Sequence, residues 1–334
     1  MPETNPTLIA LFTDIADAIR EKIGGIATIV ADDFPDVIRE RFRVISPPAT
    51  SAYLTFSSPS SFTLKVNDAT KHWDGTLEYS TDTSTWSTWD GTTTLSSATS
   101  GGNNVLYLRG TGNTKITGDN TNYKWVFTGS DISCIGNIEN LLDYATVESG
   151  SHPTMATYCY QAMFASCSSL TQAPALPATT LVEGCYNSMF DGCTALTQAP
   201  ALPATSLAPY CYQSMFVRCT SLTQAPALPA TTLAPFCYQA MFHSCTSLTQ
   251  APALPATTLI VYCYMYMFYG CTSLKLSTTQ TGEYTVAYRI PTTGTGTTPT
   301  DALANMFAST GGTFTGTPEI NTTYYLSNTN TVVG

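Results

Sequence analysis

The chain repeats itself every 26 residues, and that period limits what it can fold into more than any other feature. Cysteines fall at Cys159, Cys185, Cys211, Cys237 and Cys263, and a second series at Cys167, Cys193, Cys219, Cys245 and Cys271. Met163, Met189, Met215, Met241 and Met267 keep the same register. So do the phenylalanines from Phe164 to Phe268 and the leucines from Leu170 to Leu274. The unit reads C-Y-x-x-M-F-x-x-C-T-S-L-T-Q-A-P-A-L-P-A-T-T-L. One unit is too short to bury its own apolar side chains, so the copies must stack, each covering the next. At a strand spacing of about 4.8 Å, five coils make a body roughly 25 Å long.

Within the unit, Cys237, Met241, Phe242 and Cys245 fall at the spacings of one helix face. This predicts a short helix over 238–245. The next stretch, Leu248-Thr-Gln-Ala-Pro-Ala-Leu-Pro255, carries two prolines, which cannot donate to a ladder and exclude a long central strand. A short strand near Leu248–Ala251 followed by an extended turn is expected. One strand and one helix per coil predicts an α/β solenoid.

The M-F-x-x-C-x-x-L-x-x-x-P-x-L-P unit resembles the leucine-rich repeats of the BspA-like bacterial surface proteins. The resemblance spans about residues 155–275, with an echo at Met306-Phe307. A 26-residue unit, with Cys where that family often has Ile, departs from the pattern. The resemblance implies that the Phe, Cys and Leu columns form the core. It also implies a binding surface rather than a catalyst.

Eleven cysteines leave at least one unpaired. The two columns read as reduced core residues, because free Cys behaves as a small buried hydrophobe. No C-x-x-C pair or neighbouring His accompanies them, so no metal or other cofactor is expected.

Other columns change from copy to copy. The position after Phe is Ala165, Asp191, Val217, His243 and Tyr269, and the next is Ser166, Gly192, Arg218, Ser244 and Gly270. Two before Met stand Gln161, Asn187, Gln213, Gln239 and Met265. Just before the first Cys stand Tyr210, Phe236 and Tyr262. Such different chemistries share a column only where nothing packs tightly, so these columns are expected to face solvent. Tyr210, Phe236, Tyr262, Asp191, Arg218, His243 and Tyr269 form the candidate ligand surface, since exposed aromatics beside Arg are what binding patches hold.

Outside the repeats, residues 49–129 alternate in the manner of half-buried strands and contain all four tryptophans, which predicts a β-sandwich. Such a module resembles one that often precedes these repeats in bacterial and phage proteins. Trp86 and Trp89 with Tyr79 read either as a sugar-stacking platform or as core. Asp68, Asp74, Asp82 and Asp90 sit at turns, where Asp is common, and lack the spacing of a calcium loop. The repeat region is expected over 130–275, with a capping helix around Ile138, Leu141 and Leu142. A degenerate repeat and C-terminal cap are expected over 276–334.

The head, residues 1–46, predicts two short helices whose apolar positions include Leu8, Leu11, Phe12, Ile15, Ile19, Phe34 and Ile38. About 40 residues cannot form a core alone, so this face needs a partner. The Asp-Asp-Phe-Pro-x-x-Ile stretch resembles the N-terminal attachment segment of phage tail and fibre proteins. That implies anchoring to other virion proteins, or homo-oligomerisation with a trimer favoured.

Charge narrows the function. Charged residues are 11% of the 334, against about 25% in an ordinary domain, and the net charge is −10. Between Cys159 and Leu274 there are only three charges: Glu183, Asp191 and Arg218. A nucleic-acid binder needs a basic stripe, which is missing. No apolar run reaches the roughly 20 residues of a spanning helix, so no membrane insertion is expected. The first residues lack the pattern of a secretory signal. The three histidines, His72, His152 and His243, lie in different regions, and no hydrolase, zincin or nucleotide-binding motif occurs. An enzyme is not expected.

The whole sequence therefore reads as a multidomain chain: a helical anchor, a β-sandwich and an α/β leucine-rich-repeat solenoid. The expected role is a phage virion protein, tail-associated, whose repeats contact a host surface glycan or protein. The alternatives are a head-fibre or capsid decoration protein, and a bacterial surface adhesin.

Overall fold

The computed structural model describes residues 52–118, 122–291 and 299–333. The expected helical anchor, with Leu8, Leu11, Phe12, Ile15, Ile19, Phe34 and Ile38, lies outside the described residues. The described residues form one compact unit.

The first part is built from two sheets. The larger runs, edge to edge, through Leu170–Gln172, Ile132–Ile135, Leu54–Ser58, Asn103–Thr111, Thr76–Ser80 and Ser87–Trp89; Ala98–Ser100 also pairs with Asn103–Thr111. The smaller runs Leu95–Ser96, Thr63–Val66, Trp125–Thr128. Their inner faces meet through aromatic rings: Phe56 lies 5.1 Å from Phe127 and 6.2 Å from Trp125. Trp73, Trp89 and Trp125 are buried in this core, whereas Trp86 is only half-buried. Asp82 accepts the backbone N–H groups of Ser84 and Thr85, and Asp90 those of Thr92 and Thr93. These turn bonds hold both carboxyls down at about 2.

The larger sheet leads directly into the repeats. Ile132 donates to the carbonyl of Ser169, and strand Ile132–Ile135 lies parallel to the first repeat strand. A helix, Asn140–Glu148, follows. Asp143 breaks its regularity with extended angles, and its carboxylate accepts the N–H of Thr146 and of Gly112, which ties the helix to the sheet. Ile138, Leu141 and Leu142 are fully buried beneath the first coil.

The repeats overturn the α/β expectation. Among the described residues the helices are Asn140–Glu148 and a single turn, Pro299–Ala302; none falls within the 26-residue units. The described chain is instead dominated by strands in several small sheets. Where the helix was expected, the chain forms consecutive tight turns. Met163, Ala165 and Cys167 donate to the carbonyls of Tyr160, Ala162 and Phe164, each three residues back. The residues between them donate outward: Tyr160, Ala162, Phe164 and Ser166 bond the carbonyls of Cys185, Asn187, Met189 and Asp191 in the next coil. Every fourth residue is left-handed, with φ of +57° at Tyr158, +52° at Ala162 and +65° at Ser166. An α-helix keeps its amides inside one segment and has no left-handed residue. Here half the amides cross to the neighbouring coil, so the segment cannot exist apart from the stack.

The four-residue turn period buries residues two at a time. Cys211-Tyr212 and Met215-Phe216 point in; Gln213-Ser214 and Val217-Arg218 lie toward the outside. The inward columns stack as ladders. Phe164, Phe190, Phe216, Phe242 and Phe268 lie 5.6–5.8 Å apart with planes within 7° of parallel. Tyr160, Tyr186, Tyr212, Tyr238 and Tyr264 form a second ladder. All eleven cysteines are free and buried.

The proline half of each coil is barely paired. Isolated bridges join Gln198, Gln224 and Gln250, and Ser206 to Thr232. At the C-terminal end, strand Thr331–Val333 lies parallel to Gln250–Pro252. The 13 extra residues before Met306 leave the stack intact: Phe307 becomes the sixth ring of the Phe ladder, 5.5 Å from Phe268. Strands Tyr284–Arg289, Thr323–Ser327, Lys275–Ser277 and Gly311–Gly312 close this end.

Candidate functional site

The outward pairs of the turn segments share one side of each coil, opposite the Cys, Tyr, Met, Phe and Leu core. The residues singled out from the sequence lie on that side. Tyr210, Phe236, Tyr262, Asp191, His243 and Tyr269 are half-buried, and Arg218 is exposed.

They group into two stacks. Tyr210 and Phe236 lie 4.7 Å apart and nearly parallel, and Phe236 and Tyr262 4.8 Å apart at 37°. All three are left-handed, with φ between +57° and +59°. The same column holds Gly184 (φ +60°), and the ring of Tyr158 covers it: an added Cβ would come within 2.1 Å of that ring. The Tyr158 hydroxyl donates to Glu183 Oε1 at 2.9 Å.

In the second stack His243 lies 4.7 Å from Tyr269, almost parallel. One coil below, Arg218 Nη2 sits 2.8 Å from Asp191 Oδ1 and 2.9 Å from Oδ2, hydrogen-bonded to the latter. Burial pushes the Asp191 carboxyl up, and the positive charges of Arg218, Lys124 and protonated His243 oppose that shift only in part. Burial, with the Arg218 charge, also pushes the His243 imidazole down, although Asp191 opposes it. The ring is therefore largely neutral near pH 7, and its Nδ1 shares a hydrogen bond with Ser244 Oγ.

Two features were missed in the sequence. Tyr266, in the middle outward column, is left-handed at +56° and meets Tyr269 edge-on at 5.8 Å, joining neighbouring columns. The irregular Y-M-Y-M-F-Y run of the fifth copy was the available signal. The Gln161, Asn187, Gln213, Gln239, Met265 column is not a free solvent column. Gln161 donates to Asn187 at 3.4 Å, Asn187 to Gln213 at 2.6 Å, Gln213 to Gln239, and Gln239 to the Met265 sulfur at 3.5 Å. Amides share this column because each both donates and accepts, which a stack of identical coils requires.

A groove of about 430 Å³ lies on the proline half, between Gln198–Pro203 and Gln224–Pro229, where proline supplies no donors to close the coils together. None of the candidate residues lines it. Among the described residues no group of three His, Cys, Asp or Glu converges as a metal site, and no helix is long and apolar enough to cross a membrane.

No protein-family model matches the sequence, and no curated protein or solved structure is significantly similar to it. The chemistry of the outward face therefore carries the functional reading.

Proposed function

We propose that this chain is a non-enzymatic phage virion protein, tail-associated, that contacts a glycan or protein of the bacterial surface through the outward face of its repeats. In this reading the N-terminal segment joins the other virion proteins and assembles the chain as a trimer. The observation that carries it is the aromatic stack Tyr210, Phe236 and Tyr262 held in left-handed backbone. Bulky residues are rarely found there, and strained outliers gather at functional positions. Gly184 shows that the column accepts the residue free of that strain. Large rings kept at a strained, half-exposed position supply rigid contact area at low entropic cost.

The test replaces Tyr210, Phe236 and Tyr262 with Gly and Tyr269 with Ser, and measures adsorption of assembled particles to host cells. Adsorption is expected to be lost while the particles still assemble. A second arm deletes residues 1–48 and follows incorporation. Normal adsorption in the first arm rules out the repeat face as the receptor contact. Normal incorporation in the second rules out the N-terminal segment as the attachment element.

A further inference from the structure

A second constellation lies far from the repeat face in sequence, on the outer side of the large sheet. Arg109, on strand Asn103–Thr111, is paired in register with Glu78 on Thr76–Ser80. Its Nε donates to Glu78 Oε2 at 2.8 Å. The guanidinium packs against two rings: its central carbon lies 4.0 Å from the Trp86 ring centre and 4.5 Å from that of Tyr144 on the helix. Tyr53 extends the aromatic surface, 5.8 Å from Trp86 and 5.1 Å from Tyr107.

This arrangement uses only part of the arginine. The ion pair takes Nε, and the Trp86 and Tyr144 rings pack against the guanidinium. Among the described residues, no acceptor bonds Nη1 or Nη2, so four N–H groups stay open on a side chain that is 21% exposed. Glu78 is 27% exposed, and its Oε1 has no partner among the described residues. An arginine that only docked the helix would need the stacking but not an open fork. A guanidinium locked by rings and a carboxylate has already lost its rotamer freedom, so binding an anion costs it little further ordering.

We propose that Arg109, Glu78, Trp86, Tyr53 and Tyr107 form a binding site for an acidic sugar of the hexuronate class. The carboxylate of such a residue matches the open Nη1/Nη2 fork in bidentate geometry. Its hydroxyls donate to Glu78 Oε1. The apolar C–H face of the pyranose packs on the exposed parts of the tyrosine rings, whose faces are electron-rich. A simple anion satisfies only the first of these, and the neighbouring Glu78 charge disfavours it. A neutral sugar satisfies only the other two. The site is independent of the repeat-face reading and stands or falls separately.

Trp86 supplies the readout. Trp73, Trp89 and Trp125 are buried, so a ligand-dependent change in tryptophan emission reports on Trp86. The full-length protein is titrated with oligogalacturonate, with the matched neutral galactan oligomer, and with acetate. The acidic oligomer is expected to change the emission and to bind at least about tenfold more tightly than either control, the usual worth of a charge-assisted bond. Its affinity should fall as salt rises. Arg109→Gln and Arg109→Lys should each weaken it about tenfold or more, Lys because it keeps the charge and loses the fork. Trp86→Phe should abolish the signal while calorimetry still detects binding. Folding of each variant is checked by its thermal transition. No binding of the acidic oligomer, equal binding of acidic and neutral oligomers, or unchanged affinity in a folded Arg109→Gln protein overturns the proposal and leaves Arg109 a packing residue.

Discussion

The thiol of Cys219 donates to the backbone carbonyl of Phe190 in the preceding coil, with sulfur and oxygen 3.2 Å apart. Cys193, Cys245 and Cys271 repeat the contact to Phe164, Phe216 and Phe242 at 2.9–3.1 Å. Each of these carbonyls also accepts an amide within its own coil, so the thiol adds a second, cross-coil bond. Cysteine therefore does more here than fill space: it is a small core side chain with a donor where a methyl group would have none.

Burial pushes these thiols far from reactivity; that of Cys271 rises to about 12. At pH 8 in native conditions, fewer than about one of the eleven thiols should react promptly with a disulfide reagent, because the thiolate is the attacking species. In denaturant all eleven should react. A fast-reacting group of several thiols in the native protein would show that the columns open to solvent.

The amide ladder makes a sharper demand. Gln213→Leu removes the acceptor of Asn187 and the donor to Gln239 at once. Leaving the buried Asn187 and the half-buried Gln239 amides short of a partner should cost about 1–3 kcal/mol in urea unfolding, despite the added apolar surface. Met265→Leu, at the ladder's end, removes only a weak sulfur acceptor and should cost under about 1 kcal/mol. If Gln213→Leu falls within about 0.5 kcal/mol of the parent, the column behaves as ordinary surface and the ladder carries no stability.

The contrast between these columns shows what the sequence could and could not reveal. The register of the core was plain, because Cys, Met, Phe and Leu recur every 26 residues and only stacking gives such a period a meaning. The local conformation was not. Cys237, Met241 and Cys245 drift by about 40° per step on an α-helix and by almost nothing on a four-residue turn period. Nine residues are too few to separate the two. Ala240 and Ser244 carried a faint signal, since small residues recur at two of the three left-handed positions. The neighbouring Tyr210, Phe236 and Tyr262 column obscured it, because aromatics are poor left-handed residues. The Gln column was misread for a related reason: Gln, Asn and Met look interchangeable only to solvent, yet each can extend a chain of acceptors. Asp191 and Arg218 stand 27 apart, one repeat plus one residue, and that offset does place them side by side across neighbouring coils.

Asp191 gives a pH test with a definite sign. Its carboxyl is raised by burial more than its positive neighbours lower it, so its ionised form opposes folding. Its contribution to stability is full below the ordinary carboxylate range and is lost as pH rises through the raised folded value. Asp191→Asn should therefore raise the melting temperature at pH 7, by an amount equivalent to no more than about 1 kcal/mol at this half-exposed position. The gain should vanish at pH 3, where both proteins are uncharged there. Arg218 keeps most of its side chain in water and tolerates the loss. A fall in melting temperature at pH 7 would show that the ion pair outweighs the burial.

The left-handed aromatics can be weighed directly. Holding a residue other than Gly at φ near +58°, as at Tyr210 and Phe236, costs roughly 1–2 kcal/mol. A parallel ring contact such as theirs returns roughly 0.5–1.5 kcal/mol. Tyr210→Gly with Phe236→Gly sheds two such strains and loses two ring contacts, Tyr210–Phe236 and Phe236–Tyr262, so the terms largely offset and stability should change by less than about 2 kcal/mol. Tyr210→Ser with Phe236→Ser loses the same stack and keeps the strain. The serine pair should thus unfold at lower urea than the glycine pair, by about 1 kcal/mol or more per position. Equal midpoints would mean that the backbone at these corners is unstrained, and the physical reason for reading the column as functional would go with it. If the order holds, the repeat stack keeps its rings at positions where glycine serves stability as well, and stability alone does not account for them.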